Sequence, residues 1–214
     1  EISETGSKKI AILSRLDVQK SFLNEHLPTI IPGDIIDARV THLESFGVFC
    51  DIGCGINALL PIDNISVSRI PHPGARFAVG DDIKVVVKAF DESGRVILTH
   101  KELLGTWEEN AAYFNVGETV SGIIRSIENY GIFVELKPNL AGLAEFKEDV
   151  FVGQMAAVYI KSIIPEKMKV KLIIVDSFDA DYPKKKPHYF IKEGHLDYFR
   201  YSPYLSEKNI ETFF

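Results

Sequence analysis

Gly33-Asp-Ile-Ile-Asp-Ala-Arg-Val-Thr-His-Leu-Glu-Ser-Phe-Gly-Val-Phe49 returns 84 residues later as Gly117-Glu-Thr-Val-Ser-Gly-Ile-Ile-Arg-Ser-Ile-Glu-Asn-Tyr-Gly-Ile-Phe133. Matched positions keep their chemistry: Gly33 with Gly117, Leu43 with Ile127, Glu44 with Glu128, Phe46 with Tyr130, Gly47 with Gly131, Phe49 with Phe133. Val79-Gly80 and Lys88 reappear as Val152-Gly153 and Lys161, where the shift is 73 residues. The second copy therefore lacks 11 residues (84 − 73) of the segment around Ile65 to Arg76. A duplication sets the size of the folding unit, so it governs how every local pattern is read.

Each copy reads as strands. Ile36, Ala38 and Val40 alternate with Asp37, Arg39 and Thr41, the period of a half-buried strand. Val48, Cys50 and Ile52 alternate with Phe49 and Asp51 in a second strand. Ile83 to Phe90 and Arg95 to Thr99 read as a hairpin around Asp91-Glu92-Ser93-Gly94. The second copy repeats this over Val120 to Ser126, Ile132 to Leu136, Ala156 to Ile163 and Val170 to Val175. Short antiparallel strands in a unit of roughly 70 residues predict a small Greek-key barrel, whose closure leaves no sheet edge exposed.

The flanks differ. Lys101 to Phe114 has helical spacing in Leu103, Leu104, Trp107, Ala111 and Phe114. Ile10 to Arg15 resembles the closing strand Val96 to His100, and Asp17 to His26 then reads as a helix, which suggests the end of a truncated third copy. An N-terminal extension with one edge strand accounts for the same residues. From Ser177 to Phe214, ten of 38 residues are Phe or Tyr, too aromatic for a disordered tail, so this segment is expected to lie ordered across the second barrel. The expected division is 1–30, 31–105 (first barrel), 106–116 (helical linker), 117–176 (second barrel) and 177–214 (tail).

Composition narrows the function. At 46% hydrophobic and 25% charged residues the chain is an ordinary globular one, without an apolar run of the ~18 residues that a bilayer span needs. Two cysteines are too few for a disulfide framework, and Glu1 to Lys9 has no apolar core of a signal peptide, so a cytoplasmic setting is expected. A formal charge of −6 excludes coating nucleic acid by bulk electrostatics, so any polyanion site must be a local face.

Two ring pairs are the strongest candidates for such a face. Since Val48, Cys50 and Ile52 make a sensible core side, Phe49 points outward, and a bulge at Gly47 is expected to swing Phe46 onto the same side. Tyr130 and Phe133 repeat the arrangement. Exposed rings of this kind accept stacked bases without reading sequence, although packing against the other barrel or the tail would also cover them. Arg39 and Arg125 have outward parity on the first strand of their copies, and Lys88, Arg95, Lys161 and Lys171 fall on the later hairpins, where they can meet phosphates.

The order Gly-x-x-x-x-(Ala/Gly)-x-(Val/Ile), then (Phe/Tyr)-Gly-x-Phe, then Val-Gly followed by a strand ending in Lys, resembles the S1 RNA-binding domain family. The resemblance covers Ile31 to Leu104 and Val116 to Asp176. It implies an all-β chain of two tandem five-stranded OB-type barrels that bind single-stranded RNA on the face of their second and third strands. The family's aromatic pair falls on Phe46 and Phe49 and again on Tyr130 and Phe133, and its Asp and Arg near the last hairpin on Asp91 and Arg95. Translation is implied, with messenger RNA and the small ribosomal subunit as partners. The second copy departs from the pattern: Ile164 and Lys169 stand near the Asp and Arg positions, and Glu145 lies beside the presumed phosphate path. It is therefore expected to bind more weakly or to serve packing.

Nothing in the sequence asks for catalysis or a cofactor. Cys50 and Cys54 have no second ligand pair, the six histidines show no ligand spacing, and no phosphate-binding Gly-x-x-x-x-Gly-Lys loop occurs. Lys184-Lys185-Lys186, between two prolines, reads as a solvated linker. The expectation is a non-enzymatic RNA-binding protein without metal, membrane or small-molecule substrate. The rivals are a protein-interaction scaffold and an RNA-binding accessory region of a larger enzyme.

Overall fold

A computed structural model describes residues 2–5, 8–11, 14–180 and 186–214. Strands β1 (Ile2–Thr5) and β2 (Lys8–Ala11) pair antiparallel. Helix α1 (Arg15–Ser21) follows, its first turn closed by the Ser14 hydroxyl, which accepts from the amide of Asp17. A wider π turn (Phe22–His26) and a 3-10 turn (Leu27–Thr29) complete the approach to the first copy. Part of the expected strand, Ile12 and Leu13, lies outside the described residues.

The first copy closes into a barrel. Its strands are β3 (Ile35–Glu44), β4 (Gly47–Asp51), β5 (Asn57–Pro61), β6 (Asp82–Phe90) and β7 (Val96–Thr99), in the ring order β3-β4-β5-β7-β6. One contact is parallel, β5 beside β7 through Leu59 and Ile97, and it seals the barrel. Ala38, Val40, Val48, Cys50, Leu60, Val85, Val87 and Leu98 fill the interior, which is the inward set of the alternation.

The link between barrels departs from a single helix. Lys101–Leu104 forms a 3-10 turn, and α2 (Trp107–Ala111) is a five-residue helix opened by a reciprocal Thr106–Glu109 capping box. Gly105 breaks the run: its φ is +84°, a left-handed conformation, and the Phe190 ring stands where a side chain would project.

The second barrel repeats the first in β8 (Thr119–Glu128), β9 (Gly131–Lys137), β10 (Leu140–Ala144), β11 (Met155–Ile164) and β12 (Lys169–Phe178). The ring order is β8-β9-β10-β12-β11, the same topology, with the parallel contact again between the third and fifth strands. Ile124, Ile132, Val134, Val158, Ile160 and Leu172 occupy its core.

The segment that only the first copy has explains how the barrels meet. From it, Val67 and Ser68 donate their amides to the Asn139 side chain and the Pro138 carbonyl of the second barrel. Arg76 reaches Glu135 on β9 at 2.5 Å, and Arg125 on β8 grips the same carboxylate through Nε at 2.8 Å. All three side chains are largely buried, 11%, 5% and 6% exposed for Arg76, Glu135 and Arg125, so two cations share one carboxylate at the joint.

The C-terminal segment lies on both barrels, where the aromatic content alone pointed to the second. Phe190 donates its amide to the Leu103 carbonyl, and the Tyr189 hydroxyl accepts from the amide of Lys84. Gly194, His195 and Leu196 pair with Gly33 to Ile35 at the start of β3. His195 donates to Asp34 at 2.8 Å, and that bond, with Asp197 nearby, raises the imidazole above its ordinary pKa. The chain then crosses to the second barrel, where β13 (Tyr198–Arg200) and β14 (Glu211–Phe213) pair and Phe199 and Tyr201 join the core. Tyr182, Lys184 and Lys185 lie outside the described residues.

Candidate nucleic-acid interface

Phe46 and Phe49 both stand outside the interior. Phe46 is 53% exposed, Phe49 is half-buried, and their rings meet edge to face at 6.1 Å and 88°. Tyr130, 65% exposed, and Phe133 repeat the geometry at the same 6.1 Å and 88°. Such T-shaped contact fixes each ring against its neighbour while leaving ring surface free.

The cause differs from a bulge at the glycine. Phe46 sits in the β3–β4 turn, and Gly47 opens β4 directly. A Cβ on Gly47 would come 2.5 Å from the Leu60 carbonyl oxygen, so the glycine is required by the close approach of β5. The register irregularity lies on the preceding strand instead, between Val40 and His42, and between Ile124 and Ser126 in the second copy.

The ladders define what lies beside each pair. Phe49 stands opposite Leu59, and Leu59 opposite Ile97, so one outer face runs from the rings to the β6–β7 hairpin. Lys88 is the residue skipped by the irregularity between Val87 and Ala89, beside Ile97. Its ammonium donates to the Asn64 side chain at 3.2 Å. Arg95, two residues before Ile97, is exposed. Arg39 is exposed on β3, 3.7 Å from Asp82. Asp91 serves the hairpin itself: one carboxylate oxygen accepts from the Ser93 amide and hydroxyl and from the Arg95 amide, and these bonds lower its pKa.

The second copy has the same skeleton with altered charge. Phe133 stands opposite Leu143, and Leu143 opposite the exposed Lys171. Lys161 is again the skipped residue, between Ile160 and Ser162, but its ammonium lies 3.4 Å from Glu145. Arg125 is a correction to its reading as a phosphate contact. Its outward parity holds, but its side chain is only 6% exposed, and its guanidinium is held by two bonds to Glu135, the carboxylate that Arg76 of the first copy shares. Parity along one strand carries no information about a neighbouring domain.

Glu135 was missed, because its partner Arg76 is 59 residues away in the other copy and no local pattern joins them. The 11-residue difference between the copies was the available signal. Among the described residues, no group of His, Cys, Asp and Glu is placed to hold a metal ion, and no helix is long and apolar enough to cross a membrane.

Residues 29–101, which contain the first barrel, match the family model of the S1 RNA binding domain. The chain is 32% identical over 144 residues to the small ribosomal subunit protein bS1 of Staphylococcus aureus strain COL, covering 66% of this chain and 36% of that protein. It is 34% identical over 147 residues to the bS1 protein of Staphylococcus epidermidis, covering 68% and 34%. The chain thus spans about a third of the length of these relatives. The solution structure of GSP13 from Bacillus subtilis aligns at 25% identity and a TM-score of 0.31, over 33% of this chain and 55% of that one.

Proposed function

We propose that this chain, whose residues 29–101 carry an S1 RNA-binding domain, binds single-stranded RNA on the Phe46–Phe49 face of its first barrel. The observation that carries the reading is this exposed edge-to-face pair, joined by Leu59 and Ile97 to a hairpin bearing Lys88 and Arg95. Bases stack on the rings while the cations, with Arg39 at the edge, meet phosphates. Asp91 acts through the hairpin, holding Arg95 in place. Tyr130, Phe133, Lys161 and Lys171 form a second, weaker face, since Glu145 already occupies Lys161 and repels phosphate. In this reading residues 31–105 and 117–176 are the two domains, 106–116 joins them, and 177–214 braces both.

The bS1 relatives support a place in translation, on messenger RNA at or near the small ribosomal subunit. A cytoplasmic setting belongs to the same reading.

The test is a titration of fluorescently labelled single-stranded RNA at several salt concentrations. Three cations predict a slope of log affinity on log salt of about −2, at about 0.7 per neutralised phosphate on a single strand. Saturable binding with that shallow slope is expected. Absence of binding at low salt contradicts the reading, and a slope near zero contradicts the roles of Arg39, Lys88 and Arg95.

A further inference from the structure

Between the barrels lies a cleft of about 370 Å³ that the Phe46–Phe49 face does not use. That is within the range of about 300–1,000 Å³ typical of small-molecule sites. Several pieces of chain build it, among them Ala75 to Phe77 from the segment that only the first copy has, β8 with Ser121 and Ile123, β9 with Glu135 and Lys137, and the C-terminal segment with Phe190. Its surface is mostly apolar.

Charge converges on it. Arg76, Arg125, Lys137 and Lys186 line the cleft against one carboxylate, Glu135, a balance of four minus one, or +3, on a chain of net −6. The Arg76 Nε is buried and has no hydrogen-bond partner, while its terminal nitrogen is spent on Glu135. Buried donors rarely stay unpaired, and Arg76 is one of the residues that line the cleft. Flat groups stand beside these charges: Phe190 and His188 meet edge to face at 5.2 Å. His100, also in the wall, adds no charge near neutral pH, because burial pushes its imidazole down to about 4.

We propose that this cleft is a nucleotide site, taking a nucleoside monophosphate with its base against Phe190 and its phosphate toward Arg76 and Lys137. An excess of cations selects an anion, the aromatic wall selects a planar body, and the size admits one unit. The nucleotide is either free or one residue of a bound strand. The inference does not depend on RNA binding at Phe46 and Phe49.

Calorimetric titration of the full chain with adenosine 5′-monophosphate, adenosine and inorganic phosphate tests it. The monophosphate should bind at one saturable site, at least tenfold more tightly than either fragment. Ser121→Trp, which fills the cleft from an exposed strand position, and Lys137→Gln, which removes a cation, should each weaken it at least tenfold. Competition between the monophosphate and labelled single-stranded RNA identifies the occupant as a residue of the strand, whereas independent binding identifies a free nucleotide; both sustain the site. No saturable binding of the monophosphate to the unmodified chain, or binding that neither variant alters, overturns it. Loss of RNA binding with the monophosphate site intact would instead count only against the reading of the Phe46–Phe49 face.

Discussion

Replacing Phe46 and Phe49 together by Ala should weaken binding of single-stranded RNA by about 30-fold. One base on each ring contributes about 1–3 kcal/mol, and even the lower figure for both gives about 2 kcal/mol, with each 1.4 kcal/mol worth about a factor of ten. The fold should survive: Phe46 projects from a turn, and neither ring belongs to the buried cluster inside the barrel. The same change at Tyr130 and Phe133 should cost several-fold less, because one of the two cations beside that pair, Lys161, is already matched by Glu145. Side-by-side titrations of the two double variants decide the matter. Equal losses would remove the ranking of the barrels, and no loss in either would remove the stacking mechanism.

The second large effect concerns the joint. Glu135→Ala should destabilise the chain by about 3–5 kcal/mol, the usual result of leaving buried charge without its partner. Here two guanidinium groups, Arg76 and Arg125, lose the one carboxylate between them. Urea unfolding at neutral pH measures it, and a change below about 1 kcal/mol, the range of exposed pairs, would mean that water screens the joint. Replacing all three residues by apolar ones of similar size should cost far less than the single change, since no charge is then stranded.

Acid should act at the same place. Burial by itself raises the Glu135 carboxyl, but the hydrogen bonds and charges of Arg125 and Arg76 outweigh it and hold the group below its usual pKa. A carboxyl depressed in the folded state contributes stability above its unfolded pKa, and that contribution is lost as pH falls through the folded value. His100 works in the same direction from higher pH. Buried neutral with a pKa of about 4, it must take up a proton on unfolding, so stability falls as pH drops below about 6.5. Acid unfolding should therefore begin with His100 and steepen where Glu135 protonates.

These residues also mark how far the sequence could be read. The barrels were legible because their strands alternate cleanly: Val48, Cys50 and Ile52 face inward as parity requires. The outward placement of Phe46 was legible too, but its cause was not. A glycine permits a bulge and also permits another backbone to approach, and only the neighbouring carbonyl of Leu60 tells which it does at Gly47. The linker read as a longer helix because its apolar spacing is helical, while Gly105 interrupts it with a positive φ, and the ring of Phe190, 85 residues onward, leaves no room there for a side chain. Arg125 misled for a related reason. Its own strand turns it outward, but it is held by Glu135 on the adjoining strand, a carboxylate that Arg76 of the other copy shares. What local pattern cannot hold is the joint, and both Glu135 and the cleft belong to it.

The most direct measurement of the RNA face is photo-cross-linking of a 4-thiouridine-substituted single strand, with the attached peptides mapped by mass spectrometry. The account predicts that most cross-links fall on the peptide containing Phe46 and Phe49. Cross-links that avoid this peptide, at RNA concentrations that saturate binding, would contradict it.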